Sequence, residues 1–237
     1  MKTDVVILAG GLGTRLQSVV SDVPKCMAPI AGEPFLKYLL KWLERFSVGR
    51  VVLSLGHLSH VVTDWVGSDR SRFPFDITWV IEETPLGTGG GMRLALSKVQ
   101  SGNCVILNGD TFFDVDIDAF KSAHMDSGCP LSIALKPMTD FSRYGTVSCN
   151  TDGRVVSFNE KRYCSRGLIN GGVYCLTSDS GLMDGMPEKF SFEKEVLEPQ
   201  AMAGTINGYR CDGTFIDIGI PQDYSLAQQV LPANIML

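Results

Sequence analysis

The chain has 237 residues, 44% hydrophobic and 20% charged, with a formal charge of −5 at pH 7. That composition excludes a disordered polymer, and an acidic chain without a basic run excludes nucleic acid as its main partner. No run approaches the ~18 consecutive apolar residues of a membrane span, and Val5–Ala9 is too short for a signal h-region, so a cytoplasmic protein with no membrane partner is expected.

In chain order, Val5–Ala9 reads as a buried strand ending in Gly10-Gly11-Leu12-Gly13, and Phe35–Phe46 carries apolar residues at helical spacing. Val51–Leu55 predicts a strand and His57–Val66 a helix. Ile77–Ile81 follows as a strand, and Met92–Val99 as a helix opened by a glycine-rich turn. Val105–Leu107 is a strand ending in Asn108-Gly109-Asp110. This alternation predicts an α/β fold with parallel pairing and helices on both faces. Beyond it, Leu131–Leu135, Gly145–Cys149, Val155–Asn159, Gly172–Leu176 and Thr205–Tyr209 read as shorter strands. Asp152-Gly153 marks a hairpin, and Pro221 opens a last helix. The second half is therefore expected to be more antiparallel.

The 25 glycines are the compositional outlier. Gly11-Leu12-Gly13-Thr14-Arg15-Leu16 follows the first strand, where open sheets bind ligands and glycines let backbone approach phosphate. It is not a dinucleotide fingerprint, because Leu16 stands at the sixth place, and no Gly-Lys pair exists for a Walker loop. Its cation is built in as Arg15, whose guanidinium can grip phosphate with two donors. Lys25 follows in Pro24-Lys25-Cys26-Met27-Ala28-Pro29, expected to be a stiffened, extended segment that aims one charge. A surface turn with a solvated lysine is the alternative for Lys25 alone. The loop and the lysine together point to an anion site.

Glu82-Glu83-Thr84-Pro85-Leu86-Gly87-Thr88-Gly89-Gly90 joins a strand end to a helix start. Free amides and small residues there suit a flat base, and a carboxylate suits the two adjacent donors of guanine. Either Glu82 or Glu83 could be that carboxylate, or both are simply solvated. Asp110 and Asp217 each end or interrupt an apolar run, where burying a carboxylate is costly unless it meets a cation. Mg²⁺ commonly takes one or two carboxylates plus phosphate oxygens, which fits both. Asp114-Val115-Asp116 has the DxD form of many glycosyltransferases, but with Asp118 it reads better as helix capping. His57 and His60 lack a third zinc ligand, and His124 stands alone. The seven cysteines are odd in number, form no CxxC pair, and read as free thiols that mostly fill core.

Taken in order, Leu8–Leu16, Pro24-Lys25, Pro85–Thr88, Asn108–Asp110, Tyr144-Gly145, Glu160-Lys161, Asn170–Gly172 and Asp217–Gly219 resemble the sugar-1-phosphate nucleotidyltransferase family over nearly the whole chain. The resemblance implies a Rossmann-like three-layer α/β/α fold with a mixed, mostly parallel central sheet. It implies one catalytic domain spanning 1–237, with a nucleotide half at about 1–115 and a sugar-phosphate half at about 116–237. Because one helix and a short tail follow Asp217, a carboxyl-terminal β-helix is not expected. Nucleotide contacts are implied for Leu8, Gly10, Gly11, Gly13, Thr14, Arg15, Lys25, Glu82, Pro85, Gly87, Thr88, Asn108 and Gly109. Gly145, Glu160, Lys161, Asn170 and Gly171 are implied to bind the sugar phosphate, and Asp110 and Asp217 to hold Mg²⁺. Arg15, Lys25 and Asp110 carry the catalytic roles.

Ser18–Leu40 and Val105–Asp116 are most similar to the branch that joins GTP to heptose 1-phosphates, with mannose-1-phosphate guanylyl transfer and uridylyl or cytidylyl transfer as the nearby alternatives. The partners implied are GTP and a sugar 1-phosphate, with a homodimer compatible. A glycosyltransferase using Asp114 and Asp116 is the remote alternative. Two positions depart from the family pattern: Cys26 for proline, and Ile220 for a capping threonine.

Overall fold

The computed structural model describes residues 2–11, 22–68 and 72–235. Gly13, Thr14 and Arg15 lie outside the described residues.

Strand β1 (Thr3–Ala9) is central. Val5 and Ile7 face one apolar core and Val6 the other, so each face of the strand needs a covering layer. After a single 3₁₀ turn at Lys25–Met27 come the short pair β2 (Pro29–Ile30) and β3 (Glu33–Pro34), and then helix α1 (Phe35–Leu43). Strands β4 (Val48–Leu55) and β5 (Asp76–Ile81) flank helix α2 (Ser59–Gly67). Next follow α3 (Gly87–Leu96), β6 (Asn103–Asn108), β7 (Thr111–Phe113) and α4 (Ile117–Ser127). The second half holds β8 (Leu131–Phe141), β9 (Thr146–Cys149), β10 (Arg154–Phe158) and the long β11 (Cys164–Thr177). A π-helical turn at Glu193–Leu197 leads into α5 (Glu198–Met202), β12 (Ile206–Arg210), β13 (Phe215–Asp217) and α6 (Pro221–Asn234).

One nine-stranded sheet has the order β5-β4-β1-β6-β11-β8-β12-β10-β9. The first four strands pair in parallel, with Ile7 opposite both Leu53 and Leu107. Only β11 and β10 run against the others, so the sheet is mixed and mostly parallel, as expected. Strand β9 also pairs back onto β11, with Leu168 opposite Val147. Strands β8 to β12 therefore close into a ring. Helices α1, α2, α4 and α6 cover one face, while α3 and α5 cover the other, completing three layers.

Three local expectations change. Helix α3 begins at Gly87, so the glycines form its first turns rather than a turn ahead of it. Gly87 has φ +75°, and a Cβ on Gly89 would strike the Phe190 ring, so glycine lets α3 press against the Phe190 segment. The Lys25 segment is a 3₁₀ turn rather than extended, because Cys26 and Met27 turn inward to be buried. Strand β11 begins well before Gly172. It passes through Asn170-Gly171-Gly172 as an irregularity, and the Asn170 carboxamide accepts from the Gly172 amide at 2.9 Å.

Of the acidic stretch only Asp116 caps the helix as expected, while Asp114 and Asp118 hold other segments in place. Asp116 caps α4 by accepting from the Ala119 amide (2.9 Å), and Asp118 accepts from the Ser47 amide. Asp114 accepts from the indole of Trp42 at 2.9 Å and from Arg45 at 3.2 Å. Ile220 precedes α6 without a side-chain cap, and Pro221 takes the first turn. All seven cysteines are free, and Cys26, Cys104, Cys129 and Cys175 are buried.

Candidate active site

The carboxyl ends of β1, β4, β5 and β6 converge on a cavity of about 350 Å³. Its wall holds every described residue of the expected nucleotide set: Leu8, Gly10, Gly11, Lys25, Glu82, Pro85, Gly87, Thr88, Asn108 and Gly109, with Asp110 beside them. Open parallel sheets bind ligands at this end because the strands stop there and the following loops can shape a crevice. Gly109 sits against β1, its amide donating to the Leu8 carbonyl at 2.8 Å.

Glu82 is half-buried, whereas Glu83 is exposed and not part of the wall. One carboxylate oxygen of Glu82 accepts from the Leu86 amide at 2.9 Å. The other lies so close to Gly10 and Gly91 that a Cβ at either would come within 2.5 Å. The residues by themselves left Glu82 and Glu83 open and the family resemblance chose Glu82; the fold turns only Glu82 inward.

Lys25 Nζ lies 3.0 Å from Asp110 Oδ2. Asp110 and Asp217 come together because β7 pairs with β13, setting Thr111 opposite Asp217, and because the Ile218 amide donates to the Asp110 carbonyl at 3.0 Å. Burial, and then the neighbouring charge of Asp110, pushes the Asp217 carboxyl above its ordinary range; the Gly219 amide (2.9 Å) and Lys25 pull the other way. Two hard oxygen donors brought together, Asp110 and Asp217, are a donor set suited to a hard divalent cation. Among the described residues no third His, Cys, Asp or Glu completes a group with them. Burial and the Asp110 charge push the Cys26 thiol up to about 12, so it stays protonated and is no nucleophile.

The expected sugar-phosphate residues do not line this cavity. Glu160 and Lys161 are exposed in the turn after β10, and Gly145 lies just before β9. Asn170 and Gly171 sit in the β11 irregularity, which reaches the cavity wall because Gly172 packs on Asn108. Tyr144 ties the Gly145 turn to α6 and β13: its hydroxyl donates to Asp223 (3.4 Å) and its ring meets Phe215 edge-on. Wall residues that sequence reasoning missed are Ala9, Cys26, Ser54 and Glu193. Glu193 accepts from Thr88 Oγ1 at 2.6 Å, a contact across more than a hundred residues that no local pattern signals.

The fold and the cavity are those of a nucleotide-handling α/β enzyme. The Nucleotidyl transferase family profile matches residues 4–233, and the chain belongs to that family. It is 43% identical to a D-glycero-alpha-D-manno-heptose 1-phosphate guanylyltransferase of Aneurinibacillus thermoaerophilus, over 96% of this chain and 98% of that protein. A protein of the same name from Campylobacter jejuni is 40% identical over 92% of this chain and 96% of its own length. Among solved structures, HddC from Yersinia pseudotuberculosis superposes with a TM-score of 0.85 at 38% identity, covering 96% and 98% of the two chains. The same protein has been solved complexed with GMP-PN at the same TM-score.

Proposed function

We propose that the chain transfers GMP from GTP to D-glycero-α-D-manno-heptose 1-phosphate, giving GDP-heptose and pyrophosphate, in the cytoplasm and for the synthesis of surface polysaccharide. The observation that carries this reading is the near full-length identity to two heptose 1-phosphate guanylyltransferases. The cavity supports it by gathering the described nucleotide set at one sheet end.

In the proposed reaction a phosphate oxygen of the sugar phosphate attacks the α-phosphorus of GTP in line with the departing pyrophosphate. The attacking oxygen is already an anion, so no general base is required. This agrees with a wall that holds no histidine and a thiol kept protonated. The difficulty is bringing two polyanions together, which charge neutralisation and positioning overcome. Lys25 stands at the cavity wall to meet phosphate, and Arg15 is assigned the same task from its place in the glycine loop. Glu82 faces the base, and Gly10 and Gly11 let backbone approach the phosphates. The nucleotide half at about 1–115 supplies these residues, and the half at about 116–237 supplies Gly145, Glu160, Lys161, Asn170 and Gly171 for the sugar phosphate. Asp110 and Asp217 would hold Mg²⁺, which when bound supplies charge neutralisation on the reacting phosphates.

The test is pyrophosphate release with each common NTP, crossed with heptose, mannose, glucose and muramate-type 1-phosphates. GTP with the heptose phosphate is expected to give the highest kcat/KM. If GTP releases no pyrophosphate with either the heptose or the mannose phosphate, the proposal fails.

A further inference from the structure

Lys25, Asp110 and Asp217 converge on one point. A Cβ built on Gly219 would lie 2.9 Å from both Lys25 Nζ and Asp217 Oδ1, and 3.7 Å from Asp110 Oδ2. The ammonium and the Asp217 oxygen are thus no further apart than twice that first distance. Lys25 already pairs with Asp110 at 3.0 Å, with the two side chains 20% and 33% exposed. One ammonium therefore faces two carboxylates in the place where those carboxylates would hold a cation.

We propose that Lys25 is a cation placeholder: in the nucleotide-free protein its ammonium neutralises Asp110 and Asp217 and excludes the divalent ion, so that the metal enters with the nucleotide rather than ahead of it. This rests on the reading above, that the cavity takes a nucleoside triphosphate and that the two aspartates hold its metal. The electrostatics follow from charge. Without Lys25 the two carboxylates lose the ammonium that faces them, and they attract a divalent ion more strongly. With Lys25 in contact, the incoming ion loses part of that attraction and meets a like charge at close range.

The local structure suits a side chain that leaves while its backbone stays. Cys26 and Met27, buried, pin the 3₁₀ turn, whereas the lysine stem is flexible and ends in a compact point charge. Lys25 shares the cavity wall with Gly10 and Gly11, so a triphosphate seated there offers the ammonium a more highly charged partner than Asp110. The same residue would thereby guard the metal position when the site is empty and serve the phosphates when it is filled.

The test is Mn²⁺ binding to the intact protein by electron paramagnetic resonance, with and without a non-hydrolysable GTP analogue. Without nucleotide, Lys25→Met is expected to bind Mn²⁺ at least about tenfold more tightly than wild type. The analogue is expected to raise the wild-type affinity more than that of the variant. A gain in metal affinity is not something mere structural damage produces, and Lys25→Ala repeats the test if Lys25→Met does not fold. Equal Mn²⁺ affinity of wild type and Lys25→Met without nucleotide, with binding still abolished in Asp110→Asn/Asp217→Asn, overturns the placeholder alone. Mn²⁺ binding that survives the double substitution overturns the metal site and the placeholder together.

Discussion

Glu82 closes the loop that leads into α3: its carboxylate, just past β5, accepts from the amide of Leu86, four residues on, at 2.9 Å. The bond uses one oxygen and leaves the second at the cavity wall against Gly10 and Gly91. A single side chain thus both closes the loop and presents a carboxylate oxygen to the cavity.

Glu82→Gln keeps an acceptor for Leu86 but replaces the negative edge with a mixed one. Discrimination of GTP over ATP, taken as the ratio of kcat/KM values, is expected to fall at least about tenfold, since lost base contacts are worth roughly 1–3 kcal/mol. Glu82→Ala should also lose about 1 kcal/mol of stability with the Leu86 bond. Unchanged base selectivity in Glu82→Gln would remove Glu82 from base reading.

Lys25→Ala is expected to lower kcat by about a hundredfold or more while changing the KM for the sugar phosphate little, because the charge is needed most as the phosphates react. Steady-state kinetics at saturating GTP separates the two effects. Near-wild-type turnover would sink the catalytic role.

Asp114 accepts from both Trp42 and Arg45, and Trp42 is fully buried. Asp114→Ala leaves the indole N–H without its partner and should cost roughly 1–3 kcal/mol by urea unfolding. Its kcat should stay within about twofold of wild type, whereas a glycosyltransferase DxD role demands near-total loss.

His124 is buried, with Ser132 Oγ at 2.8 Å and Thr177 Oγ1 at 3.1 Å from its ring nitrogens. Burial holds its pKa below the ordinary histidine value. A depressed pKa means that the native state binds a proton less readily than the unfolded chain, whose histidine titrates near ~6.5. Its stabilising contribution is therefore complete above that pH and declines as pH falls towards the folded value. Urea unfolding at pH 7 and pH 5 should show a smaller loss in His124→Gln than in wild type. Equal losses would exclude His124 from the acid sensitivity.

Much of the fold was legible because parallel strands buried on both faces must be continuously apolar. Val5–Ala9, Val51–Leu55 and Val105–Leu107 read that way, and all three lie in the central strands. The nucleotide wall was legible for the related reason that glycines and charged residues at such strand ends have few other uses. The outer parts of β8 and β11 were not, since stretches such as Thr139-Asp140 and Ser165-Arg166 are polar where they pass beyond the core. Glu193 was not either. Its place in the wall comes from Phe190 packing on the α3 glycines, a contact between segments far apart in sequence. Lys25 was legible as a charge but not as a turn, because two buried neighbours bend a segment that its flanking prolines would extend.

The closed ring of β8 to β12 sets an order on assembly. Asp110 lies just before the ring in the chain and Asp217 just after it, and the short β7–β13 pair joins them. Bringing those two segments together across an unfolded connection carries a large loop-closure cost, and that cost shrinks once the intervening strands have paired. The β7–β13 pair that joins the two carboxylate segments is therefore expected to form after the ring strands have paired.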